Sequence, residues 1–236
     1  MVDNCMNFRQ PGLLSNPPCI LCQASCETDQ ALCERCESTL PLLENACPCC
    51  ALPLQSNSQL CGGCLSKKPA FDCVRSPLQY KYPVDELVSR FKYHHALTNG
   101  RLLGEYFARY IATQEFSVDA LIPLPLHPQR LRKRGFNQSA ELTHWISRST
   151  GIPWHRDILQ RTTSSRAQRR VNKRERRINV KGVFSCSKVS LPARVAIIDD
   201  VVTTGATAEA AAHCLKQAGI SWVEIWAMAR TPRPEG

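Results

Sequence analysis

Residues 195–212 read VAIIDDVVTTGATAEAAA, and the expected fold follows from this stretch. Val195 to Ile198 is an unbroken apolar run, the mark of a strand covered on both faces in a parallel sheet. Thr207 to Gln217 has helical character, and Gly219 is placed to end the helix. Trp222 to Met228 reads as a second strand. Strand, helix and strand in this order form a βαβ unit, and alternating elements imply an α/β sheet. Ligands of such sheets bind beyond the carboxyl ends of the strands. Asp199, Asp200 and the turn TTGAT stand at such an end.

The turn is suited to an anion. A helix N-terminus presents unpaired N–H groups and the positive end of its dipole, so it holds phosphate well. Thr203, Thr204 and Thr207 add hydroxyl donors, Gly205 lets the backbone approach closely, and Ala206 between them adds no bulk. No G-x-x-x-x-G-K-[ST] pattern occurs, so this is not a Walker loop. The two carboxylates would repel a bare phosphate. They fit a ligand that also carries hydroxyl donors, with Mg²⁺ neutralising its other phosphates. A sugar phosphate with a free diol satisfies both halves. The plain alternative is an ordinary strand–turn–helix with an aspartate cap.

Further towards the amino terminus the chemistry changes. Twelve of the fourteen cysteines precede residue 74. Cys19, Cys22, Cys33 and Cys36 form one C-x2-C…C-x2-C set; Cys47, Cys50, Cys61 and Cys64 repeat it with an offset of 28 residues. An offset kept at four positions marks a duplicated unit. Paired C-x2-C turns bring four thiolates to one tetrahedral ion, and zinc suits that geometry. Each half is too short to bury a core, so the metal would supply much of its folding free energy. Two structural zincs are expected. A catalytic zinc would keep an open position, and disulfides would need an oxidising compartment. Cys26 and Cys49 lie near the sets and compete with them as ligands; Cys5 and Cys73 fit neither set and read as buried or free thiols.

The opening MVDNCMNFRQPG lacks the apolar core of a signal peptide, and no run reaches the ~18 apolar residues of a membrane span. A cytoplasmic protein without membrane association is the expectation. The formal charge of +10 is unevenly spread: residues 130–181 alone carry about +12, with Glu141, Asp157 and Glu175 as their acids. A localised excess of this kind suits a phosphate-rich partner, and its bland reading is a solvated face. Between the cysteines and the βαβ unit, residues 66–83 read as a linker with two short extended strands, Tyr80 and Tyr82 alternating as on an edge strand. Val84–Tyr93, Leu102–Ala112 and Gln138–Arg148 have helical periodicity. Asp119–Leu124 reads as a strand running into a loop at Pro123 and Pro125, and Val183–Phe184 as a short strand.

The run VAIIDDVVTTGAT resembles the phosphoribosyl pyrophosphate (PRPP) signature of type I phosphoribosyltransferases. PLPLHPQRLRKRGFNQSAEL at 123–142 and RFKY at 90–93 are similar to segments of the ComF/GntX family. Proteins of that family open with a double zinc ribbon and are linked to competence, DNA utilisation or gluconate utilisation. The resemblance departs at Val171, where leucine is expected, and in the additional Cys26 and Cys49. It implies a double zinc ribbon over residues 15–66, a linker with short strands over 67–83, and a phosphoribosyltransferase-like parallel sheet flanked by helices over 84–232. It also implies site roles. Asp199 and Asp200 would serve the sugar, and 203–207 its phosphate. Arg130, Arg132, Arg134, Gly135, Asn137 and Gln138 would form a loop on the pyrophosphate side. Residues 161–181 would form a hood, with Gln168, Arg176 and Asn179. The reaction would be Mg²⁺-dependent displacement of pyrophosphate at C1 of the ribose. The sequence shows no evident acceptor base; His94, His95 and His127 are candidates, and a structural or exposed histidine is the commoner case.

A different reading keeps the PRPP site without catalysis and makes the protein an accessory factor in DNA uptake. Its partners would be single-stranded DNA or uptake machinery such as a helicase-like ATPase. Residues 19–64 hold one arginine and no lysine, so nucleic acid contact would fall to residues 130–181. That tract is poor in aromatics, which weakens base stacking.

Overall fold

The computed structural model describes residues 17–27, 30–55, 59–93, 96–161, 183–187 and 192–232. It divides into two compact units, Met1–Thr39 and Leu40–Gly236.

The first unit is small. Its described residues hold one short helix, α1 (Glu34–Ser38), and a single bridge between Pro18 and Ser25. Cys19, Cys26 and Leu32 are its buried side chains. So little apolar burial does not offset the entropy of ordering the chain, and the cysteine cluster must do the rest.

The second unit begins with the second cysteine set and α2 (Gly62–Ser66). A five-stranded parallel sheet follows, formed by β1 (Cys73–Arg75), β2 (Leu78–Gln79), β3 (Ala120–Pro123), β6 (Arg194–Val202) and β7 (Trp222–Arg230). β7 pairs with β6 on one side, from Arg194↔Trp222 to Val202↔Arg230. On its other side it pairs first with β1 and then with β2. β3 flanks β6, with Ala120 opposite Val195. The 66–83 segment thus supplies two strands of the main sheet, while Tyr80 and Tyr82 lie beyond them. A separate antiparallel pair joins β4 (Leu159–Arg161) to β5 (Phe184–Cys186).

Burial explains the order. All but the first residue of β7 are buried, as are all four of β3 and Val195–Ile198 of β6. On one face Ile122, Val195, Ile197, Val223, Ile225 and Ala227 pack under the alanines of α7 (Ala206–Gln217) and under Leu159 and Phe184. Three further helices are α3 (Val84–Tyr93), α4 (Leu97–Ala112) and α6 (Gln138–Thr150). α6 packs on β3, β6 and α4, and α4 touches α3 and β7. Val84, Leu87, Val88 and Phe91 recur at helical spacing and are buried. α4 begins five residues before the expected Leu102, and α6 runs two beyond Arg148. Among the described residues no helix is long and apolar enough to cross a membrane.

The remaining difference lies after β3. The segment expected as a loop carries a short helix, α5 (Pro128–Arg134), with Pro128 in its first turn and Gly135 closing it at φ 80°. His127 N-caps it, its Nδ1 accepting from the Gln129 N–H at 3.2 Å. Proline at a helix start and left-handed glycine at its end are signals of a helix.

Candidate functional site

The site is assembled at the carboxyl ends of β3 and β6. Asp200, 4% exposed and near the end of β6, meets the ammonium of Lys92, from the last turn of α3, in an ion pair. Asp199 is half-buried. One oxygen accepts from the Asp200 N–H at 2.9 Å and faces the Ser139 hydroxyl at 3.5 Å. Burial pushes the Asp199 carboxyl up to about 7, against the pull of Lys92 and of Ser139. Burial also brings Lys92 down to about 8, with Asp199 opposing and Arg134 and Arg130 adding to the shift.

Thr203, Thr204, Ala206 and Thr207 are exposed between β6 and α7. Gly205 stands at the N-cap with φ 78°, a conformation that favours glycine. The Thr204 hydroxyl accepts from the Ala206 N–H at 3.3 Å. Glu209, the acid of the first turn, is engaged outside the turn: its carboxylate accepts from the Ala70 N–H at 2.7 Å. Beneath the turn lies Arg230, the last residue of β7. Its guanidinium donates to the carbonyls of Val202 at 3.0 Å, Thr231 at 2.8 Å, Thr203, and Cys50 at 3.0 Å.

Around Lys92 is a group of cations. Arg134 donates to the Gln138 side chain at 2.5 Å and stacks over Tyr93 at 5.3 Å. Burial lowers the Arg134 pKa, and Arg130 lowers it further; Arg161 is shifted the same way by the same causes. Arg130 therefore shares one electrostatic neighbourhood with Lys92, Arg134 and Arg161. Asn137 and Gln138 hold the frame: Asn137 caps Ser139 at 3.1 Å and donates to the Leu124 carbonyl at 3.1 Å, and Gln138 is occupied by Arg134. Arg132 is exposed on α5. Gln168, Arg176, Asn179, His94 and His95 lie outside the described residues.

The eight cysteines form two groups of four, the sulfurs of each group within 4.8 Å of one another. Sγ–Sγ separations of 3.7 Å for Cys22–Cys33 and 3.6 Å for Cys50–Cys61 match tetrahedral zinc, whose ~2.3 Å bonds set sulfurs roughly 3.8 Å apart. Burial raises the thiols of Cys36, Cys50 and Cys64, whereas Cys47 is shifted the other way. Burial would raise Cys47, but backbone N–H groups of Cys61, Cys50 and Cys49 outweigh it and bring it down to about 7. The donor sets fit zinc, and each is complete with four sulfurs. Cys26 and Cys49 stand outside both groups. Cys73 lies in β1, where burial, and then Glu224, push its thiol up to about 12.

A family model described as the double zinc ribbon domain matches residues 12–65. Competence protein F of Haemophilus influenzae is 31% identical over 238 residues, spanning 96% of this chain and 99% of that protein. The chain belongs to the competence protein F family. DNA utilization protein YhgH of Escherichia coli O157:H7 is 31% identical over 90% of each chain. Competence protein ComFC of Streptococcus pneumoniae is 28% identical over 86% of this chain and 89% of its own. Among solved structures, adenine phosphoribosyltransferase from Leishmania tarentolae aligns at a TM-score of 0.41 and 11% identity, covering 70% of this chain and 93% of that one.

Three residues at the site of this competence protein F family member have no role that the sequence alone suggests. Lys92 lies within RFKY, one position after buried Phe91, but its partner is more than 100 residues away. Ser139 is an ordinary serine in a helix start. Arg230 looks like one of several basic residues near the end of the sequence. Each gains its place from a long-range contact that local pattern does not encode.

Proposed function

We propose that the protein binds PRPP at the ends of β3 and β6 and transfers its phosphoribosyl group to an acceptor, with Mg²⁺ on the pyrophosphate. The observation that carries this reading is the juxtaposition itself. A buried and a half-buried acid are followed directly by an exposed hydroxyl-rich helix start and meet Lys92, beside which stand Arg130 and Arg134. The 203–207 turn would take the 5′-phosphate through N–H groups and hydroxyls. Asp199 and Asp200 would accept the ribose hydroxyls, directly or through water on Mg²⁺; carboxylate oxygens suit that hard cation. Mg²⁺ would neutralise the leaving pyrophosphate, and the arginines would grip it bidentately. As the bond at C1 breaks, positive charge grows on the sugar, and the nearby carboxylates stabilise it.

Calorimetric titration of zinc-replete protein with PRPP, with and without Mg²⁺, tests this. Mg²⁺-dependent binding weakened about tenfold or more in Asp200→Asn, the scale of a lost hydrogen bond to a charged group, is expected. Undiminished binding in that variant would remove the role of the acids.

The names of the relatives support a second reading, a PRPP-responsive factor that contacts single-stranded DNA. Arg130, Arg132 and Lys133 are exposed on α5 and suit phosphates. Under this reading, affinity for single-stranded oligonucleotides falls steeply with salt, while PRPP is bound and not turned over. Oligonucleotide binding that ignores both salt and substitution of these three residues would rule it out.

A further inference from the structure

We infer that Arg230 makes the phosphate turn depend on the second zinc centre, so that metal held by Cys47, Cys50, Cys61 and Cys64 sets the ligand affinity of a site none of these sulfurs touches. The inference rests on reading 203–207 as the phosphate turn.

Arg230 is 5% exposed, yet it is a cation. A buried charge persists only when its hydrogen bonds are satisfied and a counter-charge is near. The hydrogen bonds go to carbonyls of Val202 and Thr203, where β6 enters the turn, and of Cys50, within the second cluster. The guanidinium is a rigid planar fork, so its acceptors are fixed relative to one another. Among the described residues no carboxylate forms an ion pair with Arg230. Four thiolates on zinc carry a formal charge of about −2, and the cluster reaches Arg230 through Cys50.

A second tie reaches the other side of the turn. The chain leaving the cluster runs to Ala70, whose N–H donates to Glu209 in the first turn of α7 at 2.7 Å. The cluster is itself pinned to the sheet. Val74 donates to the Cys49 carbonyl at 2.9 Å, Leu43 to Pro77 at 2.8 Å, and Gln79 to Pro41 at 2.8 Å. The turn is thus held at Thr203 and at Glu209 by one metal-organised segment. Without zinc, the Cys47–Cys50 turn loses the ion that orders it, and the Cys50 carbonyl leaves the fork. Arg230 is a positioning residue in this arrangement.

The test uses the full chain. Zinc content, PRPP affinity and peptide-resolved hydrogen exchange are measured for wild type, Arg230→Met, Cys64→Ser and Cys36→Ser. The expected result is that Cys64→Ser loses one zinc and about tenfold in PRPP affinity, with faster exchange at residues 202–207 as well as in the cluster segment itself. Arg230→Met gives the same loss with both zincs retained. Cys36→Ser loses one zinc and keeps wild-type affinity. Should either variant fail to fold, stepwise removal of zinc from wild type by a chelator gives the same readout: exchange at 202–207 follows the second metal. Wild-type exchange in this turn after loss of the second zinc would overturn the inference, as would an equal affinity loss in Cys36→Ser. If wild type binds no PRPP but the turn still loosens with the second zinc, the coupling stands and the PRPP reading falls.

Discussion

Lys92 and Asp200 are a buried pair, with side chains 19% and 5% exposed. Removing one partner of such a pair strands the other charge, at a cost of about 3–5 kcal/mol. Asp200→Asn alone should therefore lower thermal stability, while Lys92→Met combined with Asp200→Asn should restore much of it without restoring PRPP binding; melting curves and titration separate the two effects. Asp199 gives a pH test. Its carboxyl is raised to about 7 by burial, so it is largely protonated below that pH and accepts ribose hydroxyls poorly there. PRPP affinity should rise from pH 6 to pH 8, and Asp199→Asn should flatten that step. The linked stability runs the other way. With the folded pKa above the unfolded value, this group's contribution is full in acid and is lost as pH rises towards 7. The acids and the turn are legible from their succession in one short stretch. Lys92 is not, since an ion pair across more than 100 residues leaves no local trace.

The elements meet through a few tight contacts. A Cβ on Gly104 in α4 would come within 2.6 Å of the Trp145 Cβ in α6. Gly104→Ala should gain up to about 1 kcal/mol of helix propensity but lose about 1–3 kcal/mol to overpacking, giving a lower melting temperature. Within the sheet, Glu224 of β7, paired with Cys73 on one side and Ala196 on the other, is 1% exposed. It accepts from Arg75 at 2.7 Å, Trp226 at 2.8 Å and Trp222 at 3.0 Å. Burial alone would raise its pKa; Arg75 and the two indoles outweigh that and hold it below the usual carboxylate range. Its stabilising contribution is present above the unfolded value of about 4.3 and is lost as pH falls through the folded one. Glu224→Gln should make acid unfolding less steep, as followed by tryptophan fluorescence. The βαβ unit is readable from periodicity. Strands β1 and β2 are harder, because short parallel strands carry no pattern that names their partner. α5 is mistaken for a loop because Pro123 and Pro125 break the preceding strand and the family resemblance implies a loop there, although Pro128 and Gly135 announce a helix.

Across the whole molecule, metal and apolar burial divide the work of stabilisation. The described residues of the first unit bury three side chains, too few to fold without the ion. Cys33→Ser should release one zinc per chain and expose this unit to protease, while the sheet keeps its circular dichroism; unchanged metal content would remove the ribbon assignment. The repeat of four cysteines makes both centres legible from spacing alone, because the interval between ligands dictates how they close on the ion. The place of the second centre within the larger unit is not legible, since it depends on backbone bonds to β1, β2 and Arg230.

The strand order also governs how the chain is made. β7 joins β1 and β2 to β6, yet of the five strands in this sheet it comes last in the chain and so leaves the ribosome after the other four. Until it emerges, β1 and β2 have no neighbour in the sheet, and the β6 edge that β7 will cover stays open. Sheets built on such distant pairings assemble slowly and expose unpaired edges meanwhile. The cysteine clusters, complete by residue 64, can take up their metal on the nascent chain long before. During synthesis the order of events is therefore metal first and sheet last, and a shortage of zinc would be felt while the strands are still waiting for their partner.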